Sequence, residues 1–176
     1  VRAVRGGLGD AKTAANYAAS LKAGEEAKAQ GYAQVLWLDA VERHFIDEVG
    51  AMNIMFVIND ELITPPLHQG SILAGVTRST VLELAKEMGM TVKEQAIHVE
   101  EVFSAYHSGK LQEVFGTGTA AVISPVGQLH YKDDTIDIHG GKIGELAQKF
   151  YDTITGIQYG EIEDTHNWLV KVPIED

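Results

Sequence analysis

The sequence predicts one α/β domain in which short apolar strands alternate with helices. Hydrophobic residues make up 45% of the 176 residues, which is enough for a substantial core. Residues 52–58, MNIMFVI, are almost wholly apolar, as expected for a strand that is buried on both faces. Residues 143–157 instead have the spacing of an amphipathic helix. Because no repeat, low-complexity segment or linker divides the chain, we expect residues 1–176 to form a single domain.

The helices are predicted from strong helix formers and from the residues that begin and end them. The first helix is rich in alanine, leucine, lysine and glutamate, and Gly31 ends it. Thr77 is expected to cap the second helix, which ends at Gly89. In chain order, the predicted helices span residues 13–30, 78–87, 99–107 and 143–157.

The strands are predicted to be short and bounded by turn residues. A turn at residues 59–61 joins the apolar strand to a returning strand, which Pro65 and Pro66 end. The tail at residues 168–172 reads as a surface segment or a final strand. In chain order, strands are predicted at residues 32–38, within 42–50, at 52–58, 62–64, 91–97, 111–115, 122–126 and, in irregular form, at 128–132.

Composition and charge exclude several classes of function. The 25 acidic and 14 basic residues give a net charge of −11, which argues against nucleic-acid partners and anionic membrane surfaces. No apolar run reaches the length of a membrane span, and the lack of cysteine excludes disulfides and thiolate metal sites. The histidines, His68 included, show no metal-ligand spacing, so no metal is expected. These patterns predict a cytoplasmic protein.

A glycine-rich stretch at residues 6–17 carries a candidate nucleophile, Lys12. Its glycines permit tight turns and close approach to a ligand, and small residues surround the lysine. Partial desolvation there would favour the neutral amine, which is the form that a nucleophilic lysine needs. Tyr17 follows five positions later. A surface lysine on the first turn of a helix explains the same pattern without any function.

Three further loops contain residues suited to charged ligands. Glu48 lies at the mouth of the apolar strand, where a buried carboxylate needs a cationic partner such as a protonated cofactor nitrogen. Residues 73–78 place a glycine before a helix, whose first N–H groups suit a phosphate. Residues 115–121 alternate glycine and threonine and offer N–H groups and hydroxyls to an anion. Each is also explained as an ordinary loop, but together with Lys12 they supply what a pyridoxal phosphate enzyme needs.

The same stretches resemble branched-chain amino acid aminotransferases, which are pyridoxal phosphate enzymes of fold type IV. The resemblance runs from Arg5 to Tyr159 and covers the C-terminal, larger domain of that family, most closely its bacterial members. It implies a D-amino acid aminotransferase-like α/β (α+β) fold, with a mixed sheet or pseudo-barrel and packed helices, and a homodimer. It is carried by residues 9–17 (GDAKTAANY), 34–39 (QVLWLD), 48–53 (EVGAMN), 73–78 (LAGVTR) and 116–120 (GTGTA).

The resemblance implies roles around the cofactor ring for three residues. Lys12 resembles the lysine that binds pyridoxal phosphate covalently and, once released, moves a proton on the substrate. Tyr17 resembles the tyrosine that hydrogen-bonds the phenolic oxygen of the cofactor. Glu48 resembles the carboxylate that keeps the pyridine nitrogen protonated.

The resemblance also implies anion-binding roles. Val76, Thr77 and Thr119 resemble the ligands of the cofactor phosphate. Thr119 and Ala120 match the backbone that binds the substrate carboxylate, and Ala51 stands beside the substrate, where some relatives have threonine. The mammalian Cys-x-x-Cys pair is replaced by alanine and serine in this sequence.

The activity implied is transamination of leucine, isoleucine and valine with 2-oxoglutarate. The chain opens at Val1 without methionine, so we expect residues 1–176 to be the large cofactor-binding domain of a longer protein. The small N-terminal domain of the family supplies an arginine for the phosphate and an aromatic lid for the substrate. We therefore expect this chain alone to be inactive or nearly so.

Two alternatives remain open from the sequence. One is another fold type IV enzyme, namely a D-amino acid aminotransferase or an aminodeoxychorismate lyase, although residues 48–53 favour the branched-chain group. The other is a non-catalytic structural fragment that binds no cofactor.

Overall fold

The computed structural model describes residues 1–67 and 70–173, so His68 lies outside the described residues. The helices in this part of the chain are α1 (Ala14–Ala29), α2 (Val76–Glu87), α3 (Val99–His107) and α4 (Glu145–Gln158). The strands are β1 (Leu36–Leu38), β2 (Ile46–Val49), β3 (Asn53–Ile58), β4 (Glu61–Thr64), β5 (Thr91–Glu94), β6 (Leu111–Gly118), β7 (Val122–Pro125), β8 (Gln128–Tyr131) and β9 (Asp134–Asp137). No helix within the described ranges is long and apolar enough to cross a membrane.

Strand β3 is the centre of a five-stranded sheet with the order β5-β4-β3-β6-β7. Strands β4 and β5 are parallel, and the other neighbours are antiparallel. Side chains of β3 alternate between two cores, with Ile54 and Phe56 in one and Met55 and Val57 in the other. Because both faces of β3 are covered, its residues after Asn53 are all apolar, as predicted.

Helices cover the two faces of the sheet. Helix α3 packs on one face with β2 and the β8–β9 hairpin, and helices α2 and α4 pack on the other. The first residue of β3, Asn53, lies against Gly75, which immediately precedes α2. The start of the central strand and the start of α2 therefore meet at one end of the sheet.

Two helices begin at residues other than those predicted. Helix α2 begins at Val76 and has Gly75, not Thr77, as its N-cap. Helix α4 begins at Glu145, later than predicted, because the buried Glu113 carboxylate accepts two N–H groups of its first turn at 2.8 and 2.9 Å.

Several predicted strand boundaries also differ from the structure. Strand β1 is shorter than predicted, and the predicted strand at residues 91–97 ends at Glu94. Strand β6 continues through Gly118, because β3 and β7 supply backbone partners on both of its sides. Residues 128–132 begin a separate hairpin, β8–β9, and the tail at residues 168–172 lies outside every described strand.

Two buried polar side chains fix the β1–β2 pair. The Asp39 carboxylate accepts four backbone N–H groups of the connecting loop at 2.8–3.0 Å. Burial alone would raise the pKa of Asp39, but these donors outweigh it and lower the pKa to about 2. The indole Nε1 of Trp37 donates to the Gly50 carbonyl at 2.8 Å. A side chain of β1 therefore fixes the position of the turn that follows β2.

Candidate active site

Glu48 is a buried carboxylate with three protein donors. It lies near the end of β2 and is 4% exposed. Its Oε2 forms an ion pair with the Arg2 guanidinium. Its Oε1 accepts the backbone N–H of Leu73 at 3.2 Å and the side-chain amide of Asn53 at 3.3 Å. Since a carboxylate has about four acceptor positions, one remains for a further donor.

Burial raises the pKa values of two adjacent carboxyl groups. Desolvation raises the pKa of Glu48 to about 7, although the charge of Arg2 and the N–H of Leu73 oppose this. Desolvation likewise raises the pKa of Asp47 to about 6, against the hydrogen bond from Ser71. Carboxyl groups perturbed by burial and by a specific charge partner are typical of functional sites.

Arg2 joins three segments of the site, although no local sequence pattern marks it as a site residue. Besides Glu48, its guanidinium donates to the carbonyl of Ser71 at 2.9 Å. A weaker contact reaches the carbonyl of Gly9 at 3.4 Å. The sequence did predict that a buried Glu48 needs a cation, but only the fold shows that Arg2 supplies one.

A shallow cleft beside Glu48 brings several predicted residues together. Tyr17 and Ala51 line it with Glu48 and Arg2. Lys12 is exposed just before α1, so the desolvation that the sequence predicted for its amine is not found. Its Nζ lies 6.0 Å from the centroid of the Tyr17 ring. The amine, phenol and carboxylate implied by the resemblance are therefore neighbours in space.

The glycine-rich loop that carries Lys12 is held by a buried asparagine. The side-chain amide of Asn16 donates to the carbonyls of Leu8 at 2.6 Å and Ala11 at 2.9 Å. A Cβ added to Gly9 would lie 2.4 Å from the Ser71 carbonyl oxygen, so only glycine permits this approach. The backbone on the N-terminal side of Lys12 is thus fixed against the rest of the site.

The N-terminus of α2 lies next to the same carboxylate. Gly75 makes no side-chain cap, so the N–H groups of Val76 and Thr77 have no partner within the helix. Val76 is 80% exposed and Thr77 is half-buried. The Asn53 amide, which contacts Glu48, also donates to the carbonyl of Leu73 at 2.9 Å. This amide links the carboxylate to the loop before α2.

Replacing Gly75 with alanine should destabilise the protein by about 1–3 kcal/mol. The new Cβ would lie 2.2 Å from Asn53 Oδ1 and displace a buried, hydrogen-bonded amide. Urea denaturation measures the change. The matched control is Gly24→Ala inside α1, where a Cβ meets nothing within 4 Å and should be neutral or stabilising. Equal stability of Gly75→Ala and wild type would contradict the packing described for this glycine.

Thr119 and Ala120 lie in the exposed turn between β6 and β7. A Cβ on the preceding Gly118 would lie 3.2 Å from Met52, the residue after Ala51. The turn is therefore near Ala51, but the contacts described do not join Thr119 or Ala120 to Lys12. The anion-binding roles of these two residues stay predictions.

A larger cleft lies elsewhere and contains none of the predicted site residues. Its volume is about 510 Å³, and it is formed by the end of α1, the segment before β1 and the β7–β8 region. We favour the smaller cleft as the active site because it contains the perturbed Glu48 and the Arg2 partner.

Two clusters of possible metal ligands arise from segments that are distant in sequence. One contains His44, His98 and Glu100, and the other contains Glu83, Glu87 and His166. In the first cluster, Lys132 Nζ already lies 3.3 Å from the Glu100 carboxylate. Spacing along the chain could not reveal either cluster, and the expectation that no metal binds stays a prediction.

The residues of the Glu48 cleft fit a cofactor with a basic ring nitrogen and an anionic group. Glu48 keeps one acceptor position for a ring N–H. The start of α2 has no side-chain cap, and its first N–H groups, which have no partner within the helix, suit an anion. Tyr17 lines the same cleft as Glu48, and Lys12 lies near the Tyr17 ring.

Comparison with known proteins identifies the family. The model of the family "Amino-transferase class IV" matches residues 2–129. The chain is 55% identical to "Branched-chain-amino-acid aminotransferase 2" of Bacillus subtilis over 98% of its own length and 47% of that protein. It is 44% identical to a branched-chain-amino-acid aminotransferase of Mycolicibacterium smegmatis, over 98% of this chain and 48% of that protein. The chain thus spans about half the length of these relatives.

Solved structures agree with this match. The branched-chain amino acid aminotransferase of Escherichia coli superposes with a TM-score of 0.76 at 34% identity, over 92% of this chain and 50% of that one. The enzyme of Thermobaculum terrenum gives a TM-score of 0.78 at 28% identity, over 97% and 53% of the two chains. The predicted fold type IV architecture is confirmed. The chain belongs to the class IV aminotransferase family.

Proposed function

We propose that this chain is the cofactor-binding part of a pyridoxal phosphate-dependent aminotransferase. The substrates proposed are leucine, isoleucine and valine, and the amino acceptor is 2-oxoglutarate. The observation that carries the proposal is the buried Glu48 carboxylate, which is held by Arg2 and Leu73 and lines one cleft with Tyr17. Lys12 lies 6.0 Å from the Tyr17 ring. The names of the relatives support the substrate class.

The residues around the cofactor ring act as follows. When bound, pyridoxal phosphate supplies an electron sink for charge that develops at the substrate Cα. Glu48 holds a proton at the ring nitrogen, and Arg2 keeps this carboxylate in place. Tyr17 donates a hydrogen bond to the phenolic oxygen. Lys12 would hold the cofactor covalently through its amine and, once displaced by the substrate amine, would accept and return a proton at the substrate Cα.

Anionic groups are bound at the other end of the site. The N–H groups of Val76 and Thr77 and the hydroxyl of Thr119 bind the phosphate. The backbone of Thr119 and Ala120 binds the substrate carboxylate, and Ala51 borders the substrate side chain. Overall, the amino acid and 2-oxoglutarate would exchange an amino group for an oxo group, which gives the matching 2-oxo acid and glutamate without an external oxidant or reductant.

We further propose that a small N-terminal domain completes the site in the full-length protein. The extent of the relatives supports this, because the chain spans about half of their length. The same domain would supply the phosphate arginine and the substrate lid that the resemblance implies. The homodimer and the cytoplasmic location stay predictions.

Labelling with the cofactor tests the proposal on the 176-residue chain itself. The chain is incubated with excess pyridoxal phosphate, reduced with borohydride and digested for mass spectrometry. We expect one label per chain, on Lys12, together with negligible turnover of leucine. Labels spread over exposed lysines such as Lys22, whose side chain is 88% exposed, would contradict a specific site.

A substrate panel separates the proposed activity from its relatives. The full-length protein is assayed with leucine, D-alanine and aminodeoxychorismate, each under conditions suited to its own reaction. We expect leucine to react fastest. Faster reaction with either other substrate would overturn the substrate class while leaving the cofactor site intact.

A further inference from the structure

Thr117 carries a buried hydroxyl that has no hydrogen-bond partner among the described residues. The residue is 1% exposed and lies in β6, in the stretch that the sequence predicted as a glycine–threonine loop. Burying a hydroxyl without a partner is unfavourable, and native proteins leave few such groups. An unpartnered buried hydroxyl therefore needs an explanation.

The register of the sheet places this hydroxyl near the start of α2. Thr117 is directly opposite Asn53 in the antiparallel β3–β6 pair, so both side chains are on the same face. This face is the one that α2 covers, because the neighbouring pair Met55 and Phe115 packs in the core of α2 and α4. On this face, Asn53 Oδ1 lies 2.2 Å from the position of a Gly75 Cβ.

The start of α2 lacks partners for its own donors. No side chain caps α2 at Gly75. The N–H groups of Val76 and Thr77 have no hydrogen-bond acceptor within the helix. The helix N-terminus and the Thr117 hydroxyl are thus independent unsatisfied groups at the same end of the sheet. An anion with several oxygens can accept from both sets of donors at once.

We infer that Thr117 is a further anion-binding residue, whose hydroxyl donates to the phosphate of the cofactor at the N-terminus of α2. This inference rests on the proposed function, since it takes pyridoxal phosphate as the ligand. Thr117 precedes Thr119 by two residues and is buried in β6, whereas Thr119 is exposed in the turn that follows this strand. Thr117 binds and positions the phosphate, and it takes no part in the proton transfers assigned to Lys12.

Thr117→Val, which removes the hydroxyl at nearly constant volume, tests this role in the 176-residue chain. Dissociation constants are measured by absorbance titration for pyridoxal phosphate and for pyridoxal, which lacks the phosphate. We expect the variant to bind pyridoxal phosphate about tenfold or more weakly and pyridoxal unchanged, because a hydrogen bond to a charged group is lost. Thr117→Ser should restore most of the affinity.

Thr64→Val is the matched control. Thr64 is also fully buried in the same sheet, but its hydroxyl already donates to the Ile54 carbonyl at 2.7 Å. The control should lower the denaturation midpoint and leave the affinity for pyridoxal phosphate unchanged. Thr117→Val should not lower the midpoint of the ligand-free chain, because it removes an unsatisfied group.

The outcomes separate this inference from the proposed function. Wild-type affinity in Thr117→Val, with saturable binding by the wild type, overturns the role of Thr117 alone. An equal loss for pyridoxal and pyridoxal phosphate also overturns it, because the effect is then independent of the phosphate. Failure of the wild type to bind pyridoxal phosphate saturably overturns both the inference and the proposed function.

Discussion

Replacing Lys12 with alanine should lower the transamination rate of the full-length protein by at least about a thousandfold. Proton transfer by a positioned group alone contributes about 10²–10⁴-fold, and the variant also loses the covalent hold on the cofactor. Steady-state rates with leucine and 2-oxoglutarate measure the effect. Borohydride should at the same time fix no cofactor to the protein.

Lys22 provides the matched control for Lys12. It lies on α1 as an exposed cation, and its Nζ is 3.8 Å from Glu26 in an i,i+4 pair. Lys22→Ala should retain the wild-type rate, because exposed pairs contribute little. If Lys12→Ala keeps more than about a tenth of the wild-type rate, Lys12 does not carry out the proposed proton transfer.

Replacing Glu48 with glutamine should remove a large part of the pH dependence of stability. Burial raises the pKa of this carboxyl from 4.5 to about 7, so the folded state binds the proton more tightly than the unfolded state. Its contribution is therefore complete below about pH 4.5 and is lost as the pH rises through about 7. The shift corresponds to a fall on the order of 3 kcal/mol in the free energy of unfolding.

Urea denaturation of the ligand-free chain between pH 4.5 and 8 measures this slope. Asp47, beside Glu48, titrates at about pH 6 for the same reason of burial, whereas Arg2 stays charged throughout. Asp47→Asn is therefore the control. Its free energy of unfolding should still fall as the pH rises through about 7, where Glu48 titrates. An unchanged slope in Glu48→Gln would assign the titration to another group.

Bound pyridoxal phosphate should alter the same slope. A protonated ring nitrogen beside Glu48 favours the ionised carboxylate, so the fall in stability toward pH 7 should shrink when the cofactor is present. Glu48→Gln should also transaminate more slowly, because a neutral amide cannot hold the ring proton by charge. Persistence of the full slope with saturating cofactor would contradict the contact between Glu48 and the ring.

Local pattern was sufficient to predict the central strand and the existence of all four helices. Both faces of β3 are buried, so its composition alone reveals it. The start of α4 was not predictable, because the distant Glu113 determines it through a tertiary contact. Helix α2 instead begins after Gly75, the glycine that the sequence already placed before a helix, although Thr77 was predicted as its cap. Sequence can show a propensity for a helix, but it does not show which remote carboxylate will accept the first N–H groups.

Some residues of the candidate site could also be predicted from the sequence, and others could not. Lys12, Tyr17 and Glu48 could be proposed because a resemblance links them. The fold places Tyr17 and Glu48 on one cleft, with Lys12 6.0 Å from the Tyr17 ring. Arg2 could not be assigned, since its partner Glu48 is remote in sequence and both become neighbours only on folding. Thr117 was hidden for another reason: its flanking glycines suggested a loop, whereas pairing with β3 and β7 makes the segment a buried strand.

The hydrogen bond from the Trp37 indole to the Gly50 carbonyl places a buried fluorophore against the turn that follows Glu48. Trp37 is 3% exposed and is bonded to the turn beside Glu48, whereas Trp168 is 36% exposed and stacks on His166 in the tail. The chain has these two tryptophans only. With Trp168 replaced by phenylalanine, the remaining emission would come from the β1–β2 pair, and quenching on addition of a ligand would report occupancy without an added label.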